Sequence, residues 1–187
     1  MMANVMILFG SGGHSAEMIM LVRNAKLTDR LNLNEMGKLV CVISDDDNLV
    51  EEKIDQEFQR SRNLHKLDKI RTKRSRRIGQ SYLSAIWTTL TGILSSISII
   101  ISHRPQICLT NGPAISVTTC IAIRCLNLLT LFRYKCQIIY VESFCRTRTL
   151  SLSGKIIYHM RLADQFYVQW PTLADRYHRS LYKGILV

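Results

Sequence analysis

Three short stretches carry residues able to do chemistry on an anionic substrate. In the first, Val5 to Phe9 is continuously apolar and runs at once into Gly10, Ser11, Gly12, Gly13 and His14, after which Glu17 to Val22 starts a helix. A buried strand that passes through glycines into a helix N-terminus gathers backbone N–H groups and partial positive charge at one point, and glycine lets a phosphate approach the backbone. Gly10, Ser11, Gly12 and Gly13 are therefore expected to bind phosphate. His14 falls at the mouth of the helix, where an imidazole serves as acid, base or phosphate ligand. The spacing Gly10-x-Gly12-x-x-Ser15 lacks the third glycine of the dinucleotide fingerprint, and no Walker lysine follows. A tight turn that binds nothing is the plainer alternative.

The second stretch is Asn111-Gly112-Pro113, a turn signal between a short apolar strand and a helix. The third is Glu142-Ser143, immediately after the apolar run Cys136 to Val141; a carboxylate there is either a capping group or a substrate ligand. Asp45, Asp46 and Asp47 also follow a strand, and capping of the next helix is favoured over reading a ribose hydroxyl. If the strands are parallel, these turns share one edge of the sheet, and Gly12, His14, Asn111 and Glu142 line one crevice.

Positioning them requires an alternation of strands and helices, and the hydrophobic pattern supplies it. Helices are expected at Ser15 to Lys26, Asn48 to Phe58, Ile78 to Ile101, Ala114 to Phe132 and Ile156 to Arg161. Strands are expected at Lys38 to Ile43, Leu64 to Ile70, Gln106 to Thr110, Cys136 to Val141 and Asp164 to Val168. Leu150 to Lys155 reads as a second small-residue loop entering a helix, and Trp170-Pro171 turns into a short last helix. The outcome is an α/β domain: a Rossmann-like three-layer sandwich with a mainly parallel sheet. At 187 residues, one such domain, 1–187, accounts for the chain.

Lysine and arginine number 25 against 14 acids, a net charge of +11, which favours an anionic partner. The six cysteines form no C-x-x-C pair and fall mostly in apolar runs, so no metal site and a reducing compartment are expected. Lys69 to Arg77 carries six basic residues and no acid, and precedes an apolar, hydroxyl-rich helix with Tyr82 and Trp87 near its start. That is the pattern of a membrane-surface anchor, weighed evenly against a buried core helix. Ala85 to Ile101 is short and hydroxylated for a bilayer span. The sequence closes on Gly184, Ile185, Leu186 and Val187, an apolar segment expected to dock on its own sheet or on a partner.

Taken in order, several motifs resemble one family: Gly10-Ser-Gly-Gly-His14 with Glu17-Met18, Gly79-Gln80-Ser81, Thr110 to Pro113, Tyr140-Val-Glu-Ser143, Leu150 to Lys155, Val168-Gln-Trp-Pro171 and the apolar end. The family is that of the membrane-associated subunit of the bipartite UDP-N-acetylglucosamine transferase of N-glycan assembly. It is similar to the N-terminal half of the bacterial MurG glycosyltransferase, and the resemblance spans Val5 to Val187. It implies the acceptor-side half of a GT-B enzyme, without a cofactor or metal. That enzyme adds the second N-acetylglucosamine to N-acetylglucosaminyl-diphosphodolichol on the cytosolic face of the endoplasmic reticulum. A separate small subunit would bind the UDP-sugar and be held by Ile185, Leu186 and Val187.

In that frame the glycine loop, with Asn111, Gly112 and Ser143, holds the acceptor. His14 is the candidate base for its 4-hydroxyl, and Glu142 is the rival base or the group that orients the acceptor. Residues 69–101 would lie on the membrane, and a chain without the family's N-terminal membrane helix would attach through them. Ala114 stands where the family has a glycine. Two rivals remain. A basic nucleic-acid-binding module lacks interleaved aromatics, so no nucleic-acid partner is expected. A self-sufficient nucleotide-sugar enzyme would need a second domain of this kind.

Overall fold

The computed structural model describes residues 3–10, 12–24, 36–44, 48–59, 67–72, 82–130 and 134–187. Strands β1 (Ala3–Leu8), β2 (Met36–Ser44), β3 (Leu67–Thr72), β4 (Ile107–Thr110), β5 (Gln137–Val141), β6 (Gln165–Val168) and β7 (Leu181–Tyr182) form one sheet in the order β3-β2-β1-β4-β5-β6-β7. Every pairing is parallel. Parallel pairing with helical crossovers buries both faces of the sheet, which is why the strand-one sequence is apolar without alternation.

The helices are α1 (Gly13–Arg23), α2 (Asn48–Gln59), α3 (Tyr82–His103), α4 (Ala114–Leu129), α5 (Leu152–His159) and α6 (Pro171–Arg176). They divide between the two faces. Val5, Ile7 and Phe9 point into one core with Met18, Leu21 and Val22 of α1, Val50 and Ile54 of α2, and Leu186. Met6 and Leu8 point into the other, with Ile100 of α3, Ile115, Cys120 and Ile123 of α4, Ile157 of α5 and Leu173 of α6. Leu8, Ile54, Leu109 and Ile138 have no exposed surface, and full burial of one such side chain stabilises the fold by about 1.5–3 kcal/mol.

The strand order decides where a ligand can sit. The chain leaves β1 toward β2 and β3, then crosses back to place β4 on the other side of β1. The connections after β1 and β4 therefore diverge at the sheet's C-terminal edge and open a crevice between them.

Three elements differ from expectation. The third strand, expected at Leu64 to Ile70, is observed at Leu67–Thr72 and so takes in the first residues of the basic run. Its charges are tolerated because the acidic helix α2 lies alongside: Lys69 Nζ is 2.8 Å from Asp55 and Arg71 Nη2 is 2.5 Å from Glu51. Hydrogen bonds from Arg71 and Lys69 hold the Glu51 carboxyl below its ordinary pKa. The anchor expected from Lys69 to Arg77 thus has two of its cations already paired inside the fold; residues 73–77 lie outside the described residues, as do Asp45 to Asp47 and Gly79 to Ser81. Second, the small-residue loop Leu150 to Lys155 is mostly helix, because Ser151 caps α5 by accepting the Gly154 N–H at 2.9 Å. Third, β7 was not expected: both its residues are exposed and carry no alternation.

No helix among the described residues is long and apolar enough to cross a membrane. Leu90, Leu94 and Ile101 of α3 and Leu128 and Leu129 of α4 are nevertheless exposed. The C-terminal ends of α3 and α4 border an apolar groove of about 580 Å³ lined by Ile100, Ile101, Leu126 and Leu129, with Arg104 beside it.

Candidate functional site

The first and fourth strands deliver their turns into direct contact. Gly10 is buried, and a Cβ there would lie 2.7 Å from Pro113 Cβ and 3.0 Å from His14 Cβ. Its lack of a side chain lets the two turns close on each other. Asn111, 1% exposed, completes the junction by donating from Nδ2 to the His14 carbonyl at 2.6 Å. Gly112 adopts φ +103° beneath the Tyr140 hydroxyl, a conformation and a space that only glycine accommodates. Gly10 and Gly112 therefore shape the site from below.

Gly12 and Gly13 are different. Both are exposed, Gly12 has φ +61°, and a Cβ at either would meet nothing within 4 Å. Gly12 stands at the N-cap of α1 with no side-chain cap. The side-chain positions of Gly12 and Gly13 thus face open space at the N-terminus of α1, the end whose dipole favours an anion. Ser11, also expected to bind substrate, lies outside the described residues. Ser15 turns inward instead, its hydroxyl donating to the Gly10 carbonyl.

Three polar atoms around this opening are buried and have no hydrogen-bond partner among the described residues: His14 Nδ1, Glu17 Oε2 and Asn111 Oδ1. Leaving such a group unsatisfied costs about 1–3 kcal/mol, and a fold keeps several in one place where something else is to satisfy them. Glu17, read in the sequence within the Glu17-Met18 motif, was given no site role there. It lies three residues after His14 on α1, so both side chains share one helix face, and that spacing was the available signal.

Glu142 is placed at the same edge but in a different condition. It is fully buried, and its carboxylate accepts from the Ser143 N–H at 3.0 Å, the Ser151 N–H at 3.0 Å and the Ser151 hydroxyl at 3.2 Å. Burial raises its pKa above the ordinary value, opposed by those hydrogen bonds and by the charge of Arg146. Gly154 presses against the same carboxylate, and Tyr140 bonds Ser151 Oγ at 3.2 Å behind it. Glu142 thus organises the β5–α5 turn. Ser143 connects the two regions: its hydroxyl donates to Glu17 Oε1 at 2.7 Å and accepts the Cys145 N–H.

The Gly184–Val187 segment returns to the sheet. Leu186 is 6% exposed and packs in the core with α1, whereas Ile185 is 47% exposed. Val187 packs partly against the same core. Of the three residues expected to hold a partner, one is thus seated on the chain's own fold and one faces outward. Gln169, given no role of its own within the Val168 to Pro171 motif, secures Leu186.

A parallel sheet of this order, with a glycine-rich first turn that enters a helix, defines a Rossmann-like domain of the GT-B type. Solved structures agree on the fold: MurG from Acinetobacter baumannii superposes with a TM-score of 0.58 at 10% identity, covering 91% of this chain and 42% of that one. A putative UDP-N-acetylglucosamine 2-epimerase from Listeria monocytogenes does so with 0.60 at 14% identity, covering 95% of this chain and 41% of that one. The chain thus spans about two fifths of those larger molecules.

The chain belongs to the Alg14-like family of oligosaccharide biosynthesis proteins, whose model matches residues 5–186. Relatives called UDP-N-acetylglucosamine transferase subunit ALG14 are 38% identical in rat and 35% in human, over 98% of this chain and 82% and 83% of theirs. A fission-yeast (Schizosaccharomyces pombe) relative so called is 38% identical, over 98% of this chain and 83% of its own length.

Proposed function

We propose that this chain is the acceptor-side subunit of a UDP-N-acetylglucosamine transferase. It adds the second N-acetylglucosamine to N-acetylglucosaminyl-diphosphodolichol at the cytosolic face of the endoplasmic reticulum. A separate small subunit supplies the UDP-sugar site, and this chain alone is inactive. The observation that carries the reading is the cluster of unsatisfied polar atoms on His14, Glu17 and Asn111 beside the exposed Gly12–Gly13 backbone. The family and the names of its relatives supply the reaction class.

In this mechanism the acceptor's diphosphate lies on the Gly12–Gly13 backbone at the N-terminus of α1, where peptide N–H groups and the helix dipole offset its charge. The first sugar then reaches toward His14, which takes the proton from its 4-hydroxyl as that oxygen attacks the anomeric carbon of the donor sugar and UDP leaves. Asn111 fixes His14 through its backbone carbonyl. Glu142 does not touch the reacting atoms; it holds the turn that presents Ser143 to Glu17. Membrane contact falls to the exposed leucines and isoleucine of α3 and α4, with Arg104 at their edge for lipid phosphates. The small subunit grips Ile185 while Leu186 keeps the segment seated.

The test is transfer of labelled N-acetylglucosamine from UDP to a diphosphate-linked acceptor in liposomes, with this chain, with and without the small subunit. Transfer that needs both chains and disappears on removing residues 185–187 is expected. Transfer by this chain alone would show that it binds both substrates and would end the split-enzyme reading.

A further inference from the structure

A buried side chain, that of Gln169, bridges the 184–187 segment and the acceptor-side turn. It follows β6, is 1% exposed, and uses both ends of its amide. Nε2 donates to the Glu142 carbonyl at 3.0 Å, and Oε1 accepts the Leu186 N–H at 3.0 Å. The Leu186 carbonyl in turn accepts from Asn24 Nδ2 at 3.2 Å, just past the end of α1. On the far side, Glu142 leads into Ser143 and so to Glu17 on α1. The next residue grips the same turn: Trp170 Nε1 donates to the Phe144 carbonyl at 2.7 Å, with the two rings 5.3 Å apart.

A buried amide is stable only while both of its ends are paired. If Leu186 leaves its seat, Gln169 Oε1 loses its donor in a dry interior, and the amide is free to turn away from Glu142. If the turn shifts, the Leu186 N–H loses its acceptor. The two ends are therefore stable together and unstable apart, which is a coupling between two segments rather than simple packing.

We propose that Gln169 is a positioning residue that ties the seating of the 184–187 segment to the geometry of the Glu142–Ser143 turn. For the transferase this rests on the function proposed above: a partner that takes hold of Ile185 acts on the acceptor site through Gln169, without touching substrate. The bond path predicts a specific dependence. Disturbing Leu186 loosens the turn only while residue 169 can transmit it.

Backbone hydrogen exchange on the full chain reads this without any substrate. Asn24→Ala, an exposed change that frees the Leu186 carbonyl, is expected to speed exchange at Leu186 and at Ser143 and Cys145 by roughly tenfold, as local opening would. In a Gln169→Met background, which keeps the volume and removes both bonds, Asn24→Ala is expected to leave exchange at Ser143 and Cys145 where Gln169→Met alone puts it. An equal acceleration at Ser143 and Cys145 in both backgrounds would overturn the proposal. So would faster exchange at Leu186 in Asn24→Ala with no change at the turn, a result that stands even if Gln169→Met fails to fold. In the two-subunit assay, Asn24→Ala is expected to raise the acceptor KM about fivefold with kcat unchanged. Coupled exchange with an unaltered acceptor KM would keep the tie and remove the turn from the acceptor site.

Discussion

The β1–α1 and β5–α5 turns leave the same edge of the sheet, both are rich in small residues, and both enter a helix. They treat polar groups in opposite ways. Around β5–α5, the Glu142 carboxylate accepts three hydrogen bonds, Ser151 caps the helix and Gly154 closes over them. Around β1–α1, His14 Nδ1 and Glu17 Oε2 are buried without partners among the described residues, and the side-chain positions of Gly12 and Gly13 face open space. The first arrangement is complete by itself and rigidifies the edge. The second leaves polar atoms unpaired among the described residues, and on the function proposed above the acceptor completes it. The same sheet edge thus holds a built support and a prepared opening, joined by the Ser143–Glu17 bond.

The largest effect should come from the unsatisfied side. His14→Ala removes a side chain that makes no hydrogen bond through Nδ1, so stability is expected to change by less than about 1 kcal/mol. Turnover in the two-subunit assay should fall by about 10²–10⁴-fold, the usual contribution of a positioned general base. Acceptor KM should change much less. A loss of unfolding free energy with turnover intact would reverse the comparison and make His14 a structural residue.

Next in size is a change on the satisfied side. Gly154 lies inside α5, where alanine is by propensity about 1 kcal/mol better than glycine. Here the added Cβ would collide with the Glu142 carboxylate and lie 3.0 Å from Ser151 Oγ and 3.1 Å from Tyr140 Oη. Those atoms are fixed by their own bonds, so relief requires breaking them. Gly154→Ala is expected to destabilise by about 2–4 kcal/mol in denaturant unfolding, packing and lost hydrogen bonds outweighing propensity. A neutral or stabilising result would mean that Glu142 can move, and that the turn is no more rigid than the glycine loop.

The contrast between these turns was half legible in the sequence. The glycine loop announced itself because its signal is local: an apolar strand, glycines and a helix start within a dozen residues. Glu142 did not, because its partners Ser151 and Gly154 lie a loop away and its burial is a tertiary fact. As a carboxylate at a strand end it reads as a candidate base; the structure gives it three hydrogen-bond donors and no exposed surface. Ser151 could have been read as a helix cap, since a serine precedes a helical run there; the small residues around it masked the start of α5. The strand β3 was legible from Leu67 to Ile70, but its extension into the basic run was not. The acids of α2 alongside make Lys69 and Arg71 tolerable in an edge strand. Of the closing segment, its apolar character was evident, but which residue would turn inward depended on the Gln169 amide.

The smallest expected effect is the sharpest test of the opening itself. Gly13 is the first residue of α1, has no positive φ, and offers open space where a Cβ would go. Judged by the protein alone, Gly13→Ala should stabilise, because alanine costs less conformational entropy to order: a gain of about 0.5 kcal/mol, or 1–2 °C in Tm. Judged by the acceptor, the same methyl stands where the diphosphate must approach the backbone, and affinity should fall about tenfold, or ~1.4 kcal/mol. The two signs are opposite, and calorimetric titration of the chain with a short-chain diphosphate-linked N-acetylglucosamine, beside a thermal melt, reads both. A more stable protein that binds less acceptor fits a diphosphate seated over Gly13. A more stable protein that binds as well as before would show that the phosphates lie elsewhere on the edge, and the basic residues of the β5–α5 loop, Arg146 and Arg148, would be the place to look.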